Sequence, residues 1–500
     1  MKSLSKILSV LLAAVILCVS FSVAGEARSA AVCPRIYIHG FMANHILSDK
    51  DDENSPSIFP PNSEDIFGTI KSALPSLSTA LIKGGIDGFS DEACKVANEI
   101  MSQAYLDKNG EVTDKSGVYF EYPEASAISK NSKLDFSYDW RLDPIDIAAQ
   151  LNDFINYVLE CSGAEKVNLS GHSCGGVIIV TYAAIYGTEK IQGVCFNAAA
   201  VFGESYNGDL MTGKMTFNGK AFDYFLKYIV DTTDFQYLIT AIIDAASAAG
   251  IFDLTATAAN ALLGKINDKL STQVMMPMFC HWLTIWAMVP DEAIEASMEF
   301  VFDNMLKDED TSVLRSKIER FNTLVRSRKK ETLIKLNETS HMYVLSRYGY
   351  PSIPITPSYD VMGDGIVDTK YSSFGATTAA FGTTFSEDYL AQADPRYISP
   401  DKTVDASTCM FPDITWFIRS YKHALVTDAI TEFSDFLLEQ AEQVTVDTFD
   451  EYPGFLVYDA ENDLILPDTN YRKPTVFDRL KKMVEEIIKL IVMVFKIKTA

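Results

Sequence analysis

The sequence is 500 residues long, 48% hydrophobic and 22% charged, with a formal net charge of −24 at neutral pH. That much apolar residue excludes a disordered chain, and that much negative charge argues against a nucleic-acid partner, whose phosphates it would repel. The length accommodates one large domain with insertions or two to three smaller ones.

Lys2 and Lys6 precede an apolar run at 7–19, and small residues follow at Ala24 and at 29–31. A short positive region, a short apolar run and small residues read as a cleaved secretory signal, so residues 1–31 are assigned to it and the protein to the secreted class. Removing residues 1–24 takes away two lysines and no acid, which moves the charge from −24 to −26. Export permits disulfides, yet seven cysteines remain after Cys18: Cys33, Cys94, Cys161, Cys174, Cys195, Cys280 and Cys409. Seven cannot all pair, so at least one is free. No cysteine pair has zinc-ligand spacing and the six histidines are isolated from one another, which predicts no metal site.

RIYIHG at 35–40 reads as a buried strand ending at a glycine. Residues 42–133 read as a long variable stretch, with an acidic loop, SDKDDENSPS, and a hairpin-like DKNGEV at 107–112. The acidic loop lacks the glycine and terminal glutamate of a calcium loop and reads as solvated. From 133 the pattern turns regular. KLDFSYD is a strand, and Asp143-Pro144 supplies an N-cap with proline at the first helical position. Ile147, Leu151, Phe154, Ile155 and Val158 follow at helical spacing until Gly163. EKVNLSG is a strand, GGVIIVTYAAIYG has the length of a helix despite its β-branched run, and IQGVCFNA is a strand again. This alternation predicts an α/β core, a mostly parallel sheet with crossover helices. Residues 205–339 are helical in pattern and read as a cap inserted into that core, after which HMYVLSRYGY restores sheet character. The expected organisation is core at 32–204 and 340–440, cap at 205–339 and a C-terminal extension at 441–500. The last segment of that extension is too short and too charged to span a membrane. It is expected to dock on the protein or lie on a membrane or cell surface.

Gly171-His172-Ser173-Cys174-Gly175 fits G-x-S-x-G between an expected strand and an expected helix, the context of a nucleophile elbow. A serine hydroxyl needs a base, and the base needs a carboxylate that precedes it in the chain. Of the six histidines only His423, in WFIRSYKHALV, follows a strand-like segment near the end of the core. The segment SYDVMGDGIVD offers Asp360, Asp364 and Asp368; Asp364, on a tight turn between two glycines, is preferred and Asp360 is the reserve. Two backbone amides should hold the oxyanion: Cys174, the residue after the nucleophile, and Phe41, in the loop after the first strand. Cys174 itself is not at the elbow's apex and is disfavoured as the nucleophile. In VMMPMFCHWLTIWAMV at 274–289, Trp282 and Trp286 either line a lid over an acyl chain or belong to a packed helical core.

YDWR at 138–141, GHSCGG at 171–176, GDGIVD at 363–368 and KHALV at 422–426 occur in that order. Together they resemble the α/β-hydrolase superfamily and, within it, the lecithin:cholesterol acyltransferase and lysosomal phospholipase group, over roughly residues 33–440. The resemblance implies an α/β-hydrolase core, Asp364 as the acid, and acyl transfer from an ester through an acyl-serine to water or another alcohol. Ile366 stands where the family commonly has threonine, and the lid cysteine pair of its vertebrate members has no clear counterpart. Trp140 and Arg141 would brace the site or form a structural ion pair. The expectation is a secreted serine ester hydrolase acting on a small-molecule or lipid ester, with no metal or organic cofactor. An acyltransferase, a polysaccharide acyl esterase and a non-catalytic surface binding protein are the alternatives.

Overall fold

The computed structural model describes residues 32–60, 63–230, 236–270, 273, 276–353, 355–469 and 475–498. The signal-peptide expectation for 1–31 lies outside them. Eight strands form the central sheet: β1 (Arg35–Ile38), β2 (Lys133–Phe136), β3 (Val167–His172), β4 (Ile191–Asn197), β5 (His341–Tyr348), β6 (Thr415–Arg419), β7 (Phe455–Asp459) and β8 (Leu464–Pro467). Their order is β8-β7-β6-β5-β4-β3-β1-β2, and every pair is parallel except β7–β8. Strands β3 to β5 are buried along almost their whole length, as a parallel sheet covered on both faces requires. The register sets Ile38 beside Gly171, and His172 beside Asn197. The C-terminal ends of β1, β3 and β4 therefore finish level, and the loops that follow them meet above one edge.

The described helices used below are α1 (Ser63–Met101), α2 (Pro144–Ser162), α3 (Cys174–Tyr186), α4 (Gly219–Val230), α5 (Gln236–Ala248), α6 (Ile251–Leu270), α7 (Ser312–Leu324), α8 (Lys329–Thr339), α9 (Asp428–Leu438) and α10 (Val476–Lys498). The α2 helix forms as its sequence dictates. The Asp143 carboxylate accepts from the Ile145 amide at 2.9 Å, Pro144 opens the first turn, and Gly163 closes the last at φ 65°. The α3 helix forms against its β-branched propensity. Residues 174–183 are all buried between the sheet and the neighbouring helices α2 and α8, and that burial outweighs a few tenths of a kcal/mol per residue of intrinsic preference.

The fold departs from expectation in four places. The stretch read as variable contains α1, which packs against α6 and so belongs to the cap. Pro75 and the non-helical Gly85 (φ 61°, ψ −146°) interrupt its pattern and hid it in the sequence. DKNGEV is a closed turn and not a hairpin: the Asp107 amide donates to the Glu111 carbonyl, and no described strand flanks it. Within 205–339, α8 packs on α3 and β5, so the end of that segment is core and the cap is narrower than 205–339. Finally, the core does not end at 440. Strand β7 pairs with β6, covering the edge that β6 would otherwise expose, and β8 pairs in turn with β7. All seven described cysteines are free thiols.

Candidate active site

Ser173 sits between β3 and α3 at φ 56° and ψ −122°, a conformation that costs on the order of 1–3 kcal/mol in a non-glycine residue. Surrounding bonds hold it there. Its amide donates to the Asn197 carbonyl at 3.0 Å, and its carbonyl accepts from Gly176 and Ala200. Glycine at 175 is a packing requirement, because a Cβ there would collide with the Ile38 carbonyl oxygen. This close approach of β1 to the start of α3 brings the next loop to the serine: a Cβ on Gly40 would lie 3.1 Å from the Ser173 Cβ. The loop carrying Phe41 thus runs beside the elbow.

The YDWR segment pins that loop. The Tyr138 hydroxyl donates to the His39 carbonyl at 2.7 Å, and the Trp140 indole donates to the Asn44 carbonyl at 2.9 Å. Arg141, fully buried, forms a two-pronged pair with Asp139 at 3.0 and 2.7 Å and is structural. The Phe41 ring packs on Trp140 and Trp282, with centroids 4.6 and 5.8 Å apart.

The other two candidates come together from distant loops. His423 Nδ1 donates to Asp364 Oδ2 at 2.7 Å, and the His423 amide donates to the Asp364 carbonyl at 2.9 Å. The other carboxylate oxygen accepts from the amides of Ile366 and Val367 at 3.1 and 2.8 Å. Isoleucine in the threonine position therefore keeps the backbone bond that shapes this turn. Asp364 is fully buried, and Ser173 and His423 nearly so. Among the described residues His423 pairs with neither Asp360 nor Asp368. Asp368 instead accepts from the Ser205 amide at 2.8 Å, and burial pushes its carboxyl up to about 6. Cys174 is buried, and burial pushes its thiol up to about 12, so it holds no thiolate at neutral pH.

Two residues absent from the sequence expectation complete the arrangement. Arg347, fully buried in β5, donates from Nη1 to the carbonyls of Lys422, His423 and Leu425 at 2.7, 3.1 and 2.9 Å. Its Nε and Nη2 donate to Asn197 Oδ1 at 3.2 and 2.9 Å. His172 donates from Nε2 to the His423 carbonyl at 3.1 Å; burial, with His423 and Arg347 nearby, holds its imidazole well below the usual range and so neutral. A charged residue inside an otherwise apolar strand, Arg347 in VLSRY, was the available signal.

Trp282 and Trp286 do not line a lid. Both are buried in the main core, with their indole N–H groups donating to the carbonyls of Ala104 and Cys280. The cap reaches the site through α4. A Cβ on Gly365 would lie 2.6 Å from the Tyr228 ring, and Lys422 Nζ donates to the Tyr228 carbonyl at 2.6 Å. Cap and site therefore touch on either side of the Asp364–His423 pair. Among the described residues no cluster of three metal-ligating side chains exists.

Residues 125–237, which run from before β2 past the elbow into the cap, match a family model described as the alpha/beta hydrolase fold. No curated protein matches the chain. The crystal structure of a Tle4-Tli4 complex is similar at 16% identity and a TM-score of 0.20, over 36% of this chain and 48% of that one. The match thus spans about half of that chain's length. The parallel sheet with its crossover helices, together with the family match, identifies this chain as one with an α/β-hydrolase core.

Proposed function

We propose that the protein is a secreted serine ester hydrolase of the lipase or phospholipase type. The observation that carries the reading is the buried 2.7 Å bond between His423 and Asp364, in a site whose elbow holds Ser173 in a strained turn. A carboxylate on Nδ1 fixes the imidazole tautomer and leaves the Nε2 lone pair to take a proton. In the acylation step the Ser173 oxygen bonds to the ester carbonyl carbon as its proton moves to His423. The imidazolium then returns that proton to the departing alcohol. In the second step water attacks the acyl carbon as its proton moves to His423; the bond from that carbon to the Ser173 oxygen then breaks, the imidazolium returns the proton to Ser173, and the acid leaves. The amides of Phe41 and Cys174 receive the oxyanion in both steps. The Asp364 carboxylate balances the transient charge on His423. The resemblance to the lecithin:cholesterol acyltransferase and lysosomal phospholipase group, and an apolar cap touching the site, favour a lipid ester.

Hydrolysis of p-nitrophenyl esters from acetyl to palmitoyl tests this reading. Activity that rises with chain length and vanishes in Ser173→Ala is expected. A preference for acetyl would replace the lipase reading with a small-ester or polysaccharide esterase. Activity unchanged in Ser173→Ala would overturn the serine mechanism.

A further inference from the structure

The α10 helix has two faces of different character. One face is docked. The Glu486 carboxylate, 8% exposed, accepts from the amides of Tyr237 and Leu238 at 3.1 and 2.7 Å. It thereby satisfies open donors in the first turn of α5 and places negative charge at the positive end of that helix. The other face is apolar and uncovered. Phe477, Leu480, Val484 and Ile488 recur at three- and four-residue intervals and are 75%, 48%, 50% and 55% exposed. At about 100° per residue these four fall within one narrow stripe on the side of the helix opposite Glu486. Docking therefore aims the stripe away from the body.

Solubility alone does not account for such a stripe, since large apolar side chains gain nothing from facing water. The charge of the helix differs from that of its surroundings. The chain as a whole is at −24, whereas residues 476–498 hold six Lys and Arg against three Asp and Glu. One of those acids, Glu486, is engaged in docking. Lys481 is exposed beside the stripe, and Arg479, Lys482 and Lys489 are exposed on the polar side of the helix, nearer Glu486. An apolar stripe on a helix of net positive charge, with most of its cations on the polar side, is the pattern of a helix that lies in the plane of a lipid surface, with its apolar side chains among the acyl chains and its cations reaching towards the phosphates. The neighbouring cap helices are apolar and exposed as well, with Ile242 on α5 and Ile251 and Leu254 on α6 uncovered. No single described helix is long and apolar enough to cross a membrane; α5 and the first part of α6 pass that test only together, as a pair bent by 67°.

We propose that the outer face of α10 docks the protein on a lipid surface carrying anionic headgroups, and that the Glu486–α5 contact sets the cap's orientation on that surface. The inference rests on α10 alone and stands whether or not Ser173 is a nucleophile; if the lipid-ester reading holds, it delivers the cap to the substrate layer.

Flotation of the full chain with phosphatidylcholine vesicles, with and without phosphatidylglycerol, tests it. The full chain should float with the phosphatidylglycerol vesicles, more weakly with phosphatidylcholine alone, and less at high salt. The double variant Leu480→Asp, Val484→Asp should cut the bound fraction about tenfold, with hydrolysis of a water-soluble ester unchanged. A second pair, Val484→Gln with Ile488→Gln, should lose binding as well, and both should unfold at the wild-type temperature. The proposal fails if the full chain stays soluble with both vesicle types, or if neither pair reduces flotation. It also fails if the chain is a dimer without lipid and the double variant turns it into a monomer, because the stripe is then an interface between copies.

Discussion

Arg347 and His423 are joined through the main chain: the guanidinium holds the His423 carbonyl at 3.1 Å and the flanking carbonyls of Lys422 and Leu425 at 2.7 and 2.9 Å. The same guanidinium grips Asn197, whose own carbonyl holds the Ser173 amide. One buried cation thus fixes the loop of the candidate base relative to the elbow of the candidate nucleophile. It is a positioning residue, since it touches neither reacting atom.

Replacing it should therefore affect turnover. Arg347→Met removes every one of these bonds and should lower kcat by about a hundredfold with little change in KM for a short ester, because a small misplacement of the base is that costly. Arg347→Lys should recover part of the loss. If the role were only structural, stability would drop while kcat per labelled serine stayed constant.

The loop that carries Phe41 is held by Tyr138 at its start. Tyr138→Phe deletes one hydroxyl and leaves the ring, so the cost should be that of a single hydrogen bond, about 1 kcal/mol. Expressed in kcat/KM this is about a fivefold loss, with Ser173 still open to covalent labelling.

Trp282 contacts the Phe41, Phe59 and Trp140 rings inside the core. Trp282→Ala should destabilise the protein by about 3–5 kcal/mol, measured by denaturant unfolding. The preferred acyl length should not move. A shift in acyl preference at unchanged stability would restore Trp282 to a substrate-lining role.

Glu204 is buried, and burial pushes its carboxyl up to about 8. Its folded-state pKa lies above the unfolded one, so the folded state prefers the protonated form and loses stability as pH rises from about 4.5 to about 8. Glu204→Gln removes this penalty. Its Tm should exceed that of the parent at pH above 8 and converge with it towards pH 5. A constant gap across that range would mean that the carboxyl does not titrate in this window.

How much of this was legible depended on how local the determinant was. The α/β alternation from 133 to 197 could be read because caps, breakers and apolar periodicity agreed there. Helix α1 escaped because Pro75 and Gly85 break its pattern, and only packing against α6 completes it. The strand character of 455–467 was visible, but its place in the sheet was not, since pairing with β6 is a long-range property. At the site, chain order pointed to Ser173, Asp364 and His423, and the fold brings Asp364 and His423 into contact. The Arg347 clamp could not be read, because its partners are backbone carbonyls some 75 to 78 residues away. Trp282 and Trp286 were ambiguous for a simple reason: an aromatic run looks the same in a lid and in a core.

The most direct test of the account is covalent labelling by a fluorophosphonate, read by peptide mass. The account predicts one adduct, on Ser173, absent in Ser173→Ala and formed far more slowly in His423→Ala and Asp364→Asn. A folded protein that stays unlabelled, or that carries the adduct on another serine, would contradict it.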